Sequence, residues 1–210
     1  MDVSGAESQL ASVAHATPVM RSSRFQISAG AILAAALIYY FTDSDFWLAL
    51  LPAVLAHEMG HLGAIKLLGF RVRGFRMEWN GLCIDYTGAG NRAGEIAIAA
   101  AGPLAGFLYA GAASRFGSTF HQETALLSAG FSLLLSFFNL LPIRPLDGGQ
   151  IAEAVCKVLF GAPRGEVFAC YMEIAAASAL TLAGAWLLWQ GRGAGMLLTG
   201  VFLFGKQLAR

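Results

Sequence analysis

The chain has 210 residues, of which 57% are hydrophobic and 13% charged; a soluble domain carries about 25% charged residues, so this composition suits a protein that faces lipid. Fourteen basic and thirteen acidic residues leave a net charge of +1, which excludes the electrostatic footprint of a nucleic-acid binder. Cys83, Cys156 and Cys170 form no C-x-x-C pair and no disulfide or metal framework, and read as small buried side chains.

Residues 1–22 open with Asp2 and Glu7, contain no basic residue before Arg21 and lack the apolar core of a secretion signal, so they read as a short flexible cytoplasmic tail. Residues 23–210 then form one integral-membrane domain. Six apolar stretches follow, at about 27–40, 46–68, 93–113, 125–141, 167–189 and 194–208. Several approach the roughly 20 residues that cross hydrocarbon. The expected fold is an all-α polytopic membrane protein with six transmembrane helices. A cytoplasmic start puts twelve of the fourteen basic residues on the inner side, leaving only Arg115 and Arg192 outside, while Asp43 and Asp45 lie in the first outer loop. This asymmetry predicts a multi-pass protein of the cell membrane with both termini cytoplasmic.

Between the second and third stretches, Phe75, Met77 and Trp79 alternate with Arg76 and Glu78, and after Asn80-Gly81 the alternation resumes with Leu82, Ile84 and Tyr86. Asn-Gly flanked by alternating apolar residues predicts a β-hairpin with Asn80-Gly81 as its loop, Met77 opposite Ile84, and Arg76 opposite Asp85 on the other face. It is expected at the cytoplasmic membrane surface, either as a cap over the bundle or as an edge that pairs with an unfolded stretch of substrate. Later, Asn139-Leu-Leu-Pro142-Ile-Arg-Pro145-Leu-Asp147-Gly-Gly149 cannot continue a membrane helix, so this backbone must line the protein interior or a wet cavity. Residues 151–160 read as a short amphipathic helix with Glu153 and Lys157 paired at i,i+4.

The residues that carry chemistry are His57-Glu58-Met59-Gly60-His61. Two histidines four apart share one helix face within reach of one metal ion, and the adjacent glutamate can act as general base toward a metal-activated water. Eleven mostly apolar residues precede His57, about 16 Å of helix, which places the pair in the cytoplasmic half of the bilayer. Ionisable groups at that depth need pairing, a metal or water. Zinc with an open position for water wants a third protein ligand. His15 lies in the tail and His121 in an outer loop, so Asp147 is the best candidate; its alternative is to shape the Leu-Asp-Gly-Gly turn or cap the helix near Gln150.

These residues make the chain resemble the site-2 protease family of intramembrane zinc metalloproteases, peptidase family M50. The resemblance rests on His57-Glu58-x-x-His61, on Ala101-Gly102-Pro103-Leu104-Ala105-Gly106, and on Asn139-x-x-Pro142-x-x-Pro145-Leu146-Asp147-Gly148, in the family's order. It implies one Zn2+ held by His57, His61 and Asp147, with Glu58 as the catalytic base and Asn139 holding the substrate backbone. Many relatives carry an asparagine where this chain has Ala105. The six-span arrangement is similar to the branch containing sporulation pro-sigma-factor proteases, and no CBS or PDZ domain is expected within these residues.

Two further acids lie in or near spans. Glu95, at a helix start, suits the helix dipole, whereas Glu173 is a candidate to line or gate a water path to the metal, or to pair helices. The leading expectation is an endopeptidase acting in or near transmembrane segments of membrane proteins. Its partners would be a transmembrane substrate, the lipid bilayer and a regulatory membrane protein, with no nucleic acid. A metal-ion or proton transporter is the alternative for an intramembrane His/Glu/Asp cluster, and a catalytically inactive relative is a third.

Overall fold

The computed structural model describes residues 25–27, 36, 39–40, 44–78, 81–87, 92–191 and 195–208. The expected tail 1–22, nearly all of the first apolar stretch, His15, Trp79, Asn80 and Arg192 lie outside the described residues.

In chain order the elements are β1 (Phe25–Ile27), α1 (Ser44–Leu67), β2 (Arg71–Glu78), β3 (Gly81–Thr87), α2 (Arg92–Phe120), α3 (Glu123–Asn139), α4 (Asp147–Phe160), α5 (Ala162–Trp189) and α6 (Gly195–Leu208). α1, α2 and α3 pack on one another, α4 joins α2 to α5, and α5 pairs with α6. The molecule is therefore a helical bundle with one small sheet.

Only three described helices, α1, α2 and α5, are long and apolar enough to cross a membrane. At 1.5 Å per residue, α3 with its 17 residues is about 26 Å long and α6 with 14 is about 21 Å, both short of a hydrocarbon core of about 30 Å. This corrects the expectation of six full-length spans. The physical cause at α3 is the proline-rich segment that stops it at Asn139. α2 runs seven residues past the expected end at Ala113, and in this added stretch Ser118 and Thr119 turn their hydroxyls back onto the carbonyls of Ser114 and Arg115, each at 2.8 Å. α5 likewise starts at Ala162 rather than near Val167, with a proline in its first turn, where a missing N–H costs nothing.

Close packing of the first three helices rests on small residues. Gly102, Gly106, Ala110, Ala113 and Gly117 of α2 are buried, and α3 lays Ser128, Ser132 and Ser136 against this groove. Ser132 Oγ donates to the Gly106 carbonyl at 2.8 Å, and Tyr109 Oη and Ser128 Oγ are 2.7 Å apart. A Cβ on Gly60 of α1 would meet the Ala101 carbonyl and lie 2.6 Å from Ala105 Cβ, so Gly60 and Ala105 mark a close α1–α2 contact.

The expected hairpin is a three-stranded sheet of order β1-β2-β3, with β1 parallel to β2 and β2 antiparallel to β3. Gly81 is the first residue of β3 rather than a loop residue, and Met77 pairs with Leu82 and Phe75 with Ile84. The expected and observed pairings differ by two residues, which keeps every side chain on its face; apolar alternation alone cannot separate them. Arg76 still reaches Asp85, diagonally, through two bonds of 2.8 Å. A bulge between Val72 and Gly74 bends β2. The strand at Phe25–Ile27 was not expected, because three residues are too few to show a period.

Candidate metal centre

His57 and His61 stand one turn apart on α1, with rings edge to face at a centroid distance of 4.9 Å. Asp147 reaches them from the first turn of α4. His57 Nε2 is 3.2 Å and His61 Nε2 is 3.3 Å from Asp147 Oδ2, and the two Nε2 atoms are 3.3 Å apart. His57 and Asp147 are buried and His61 is half-buried.

This triangle of donors is nearly equilateral, and its size is informative. Three corners of a tetrahedron with bonds of about 2.0–2.1 Å lie about 3.3–3.4 Å apart. Asp147 Oδ2 is buried and, among the described residues, accepts no hydrogen bond of good geometry, a costly condition for a carboxylate oxygen that a cation would relieve. The residues present thus fit a tetrahedral divalent metal. Among the described residues, this is the one group of three such side chains that converges.

The local fold explains how each donor arrives. His61 Nδ1 lies 2.8 Å from the Ile98 carbonyl of α2. A carbonyl only accepts, so Nδ1 carries the proton and Nε2 of the neutral ring presents its lone pair to the centre. Asp147 is the first residue of α4, whose N-cap position is held by Leu146, so Asp147 is not the cap and the helix starts four residues before the expected Ile151. Its charge suits a helix N-terminus. The turn before it is tight: a Cβ on Gly148 would run into the Leu140 carbonyl, which is why glycine follows the aspartate.

Glu58 is half-buried beside His57 and sits in the electrostatic field of His57, His61 and Asp147. Asn139, the last residue of α3, holds Nδ2 3.4 Å from His57 Nε2. His121 is exposed at the α2–α3 turn, at the opposite end of α3 from Asn139 and about 24 Å away along that helix. Glu173 does not join the cluster. It is 1% exposed on α5 and accepts hydrogen bonds from Arg144 of the proline-rich segment.

Two contributors were not singled out from sequence for these roles. The Ile98 carbonyl could not have been found, because every residue has one. Arg144 left a faint signal as a charge between two prolines in an apolar stretch.

Residues 29–148 match the family model described as Peptidase M50B-like. The chain belongs to that family. A second model, Peptidase family M50, matches residues 118–182. The M50B-like chain is 38% identical over 109 residues to Stage IV sporulation protein FB of Bacillus subtilis (strain 168), a match covering 50% of this chain and 38% of that protein. Its fold is similar to that of the Site-2 Protease from Methanocaldococcus jannaschii, with a TM-score of 0.66, 20% identity, and coverage of 89% of this chain and 90% of the other. The M50B-like fold thus carries a His57/His61/Asp147 cluster suited to metal binding.

Proposed function

We propose that this chain is a zinc-dependent endopeptidase that hydrolyses peptide bonds in or beside transmembrane segments of other membrane proteins. The observation that carries the reading is the donor triangle of His57, His61 and Asp147 beside Glu58, in a member of a peptidase family. In this reading His57 Nε2, His61 Nε2 and Asp147 Oδ2 hold the ion. A zinc ion there supplies a Lewis acid and lowers the pKa of water toward neutrality.

The chain's own residues do the rest. Glu58 takes a proton from the attacking water and returns it to the amide nitrogen that leaves. Asn139 holds the substrate backbone beside His57. A helical peptide bond hides its carbonyl in the hydrogen-bond ladder, so the substrate must be extended where it is cut. The outer edge of β3 is unpaired among the described residues and offers backbone groups for such a strand. For the topology, the basic-residue asymmetry supports both termini cytoplasmic and the centre in the cytoplasmic half of the bilayer.

The test is Glu58→Gln in the full chain reconstituted into lipid vesicles with a single-span model substrate whose helix is interrupted by glycine and proline. Zinc content should stay near that of wild type while cleavage products vanish from mass spectra. Cleavage at the wild-type rate would refute the role of Glu58. Zinc uptake into the vesicles without cleavage by the wild-type chain would favour the transporter instead.

A further inference from the structure

Arg144 lies in the segment between α3 and α4, three residues before Asp147, and reaches two helices at once. Its Nε and Nη2 donate to the two carboxylate oxygens of Glu173 on α5, the latter at 3.2 Å, and its Nη1 donates to Glu153 Oε2 on α4 at 3.0 Å. Glu153 is in turn bonded by Lys157 one turn on. Glu173 sits about 17 Å into α5, at a depth where an ionised carboxylate survives only if matched by a cation and hydrogen bonds. A two-pronged guanidinium bond also fixes orientation in a way a lysine cannot.

The backbone of Arg144 presses directly on the turn that carries Asp147. A Cβ on Gly149 would lie 2.5 Å from Arg144 N and 2.5 Å from Ile143 C, so the two backbones are in contact. On the other side of this residue, the Ile143 side chain is fully buried in an apolar cluster with Ala177 of α5 and Leu203 of α6. The segment is thus pinned through adjacent residues, by apolar burial at Ile143 and by charge at Arg144. Apolar burial is non-directional, whereas the Arg144–Glu173 pair sets an angle.

We propose that Arg144 and Glu173 are positioning residues for the metal centre, holding the 140–146 segment so that Asp147 Oδ2 completes the donor triangle with His57 and His61. The inference rests on the metalloprotease reading, and it makes α5 part of the machinery that orients the third ligand although α5 contributes no ligand. Outer partners of this kind typically change metal affinity by about 10–100-fold when removed.

The experiment uses the full chain in detergent. Zinc affinity is measured by competition with a chromophoric chelator, the visible spectrum is recorded with Co2+ in place of Zn2+, and thermal melting is followed in parallel. Arg144→Leu/Glu173→Leu replaces the buried pair with apolar side chains, an exchange that commonly preserves stability. The expected result is a folded protein whose zinc affinity falls about 10–100-fold and whose Co2+ spectrum is altered. Arg144→Lys, which keeps the charge and loses the fork, should fall between it and wild type. If the double variant melts early, Glu173→Gln is read instead, with the same expected direction. A folded variant with wild-type affinity and an unchanged Co2+ spectrum overturns the proposal and leaves the metalloprotease reading intact. A wild-type chain that binds neither metal overturns both.

Discussion

Gly102 of α2 lies flat against the imidazole of His61, so that a Cβ at residue 102 would fall on Nε2 itself. The Gly-Pro motif of the third apolar stretch therefore leaves room for the imidazole of His61 as well as for helix packing. Gly102→Ala should push the ring off its hydrogen bond to Ile98. The expected outcome is a destabilisation of about 1–3 kcal/mol, as for other overpacked sites, and a zinc affinity at least about tenfold lower. Melting and chelator competition on the same preparation check both.

Gly106 and Ser136 meet in the same way one turn further along, where an added Cβ would fall on the Ser136 hydroxyl. Gly106→Ala should cost about 1–3 kcal/mol. Ser136→Ala should cost little, because its buried hydroxyl has no hydrogen-bond partner among the described residues. Combining them should recover about 1 kcal/mol or more of the Gly106→Ala loss, since the clashing atom is gone. Additive melting data for the three variants would contradict this contact.

Removing a donor should empty the centre. Asp147→Ala, His57→Ala and His61→Ala should each lower zinc content sharply. A chelator should abolish cleavage by the wild-type chain, with recovery on adding Zn2+. Zinc content unchanged in Asp147→Ala would remove this residue from the ligand set.

The Arg76–Asp85 pair of the sheet has good two-pronged geometry, yet both side chains are about half exposed, at 47% and 42%. Solvent screening limits it, so Arg76→Ala should change stability by no more than about 1 kcal/mol. A larger change in the melting free energy would show that the sheet depends on this pair.

How much of this was legible in the sequence follows the range of the interactions. His57 and His61 are four residues apart on one helix, so helical periodicity alone put them on one face, and an apolar run long enough for α1 was visible as composition. The prolines and glycines around Asp147 showed that α3 had to end, because a missing N–H and a missing Cβ act on the chain locally. Alternation gave the faces of β2 and β3 but not their register, since a shift of two residues leaves every face unchanged. The sequence by itself thus determined the chemical groups of the cluster and the helix that bears its two histidines, but not that Asp147 opens α4. Only the tertiary structure decided that Asp147 Oδ2 stands 3.2–3.3 Å from both imidazoles, that Ile98 turns Nε2 of His61 toward it, and that Arg144 is bound to Glu173. Those contacts join residues 29 to 90 positions apart, and no local pattern encodes which distant backbones will touch.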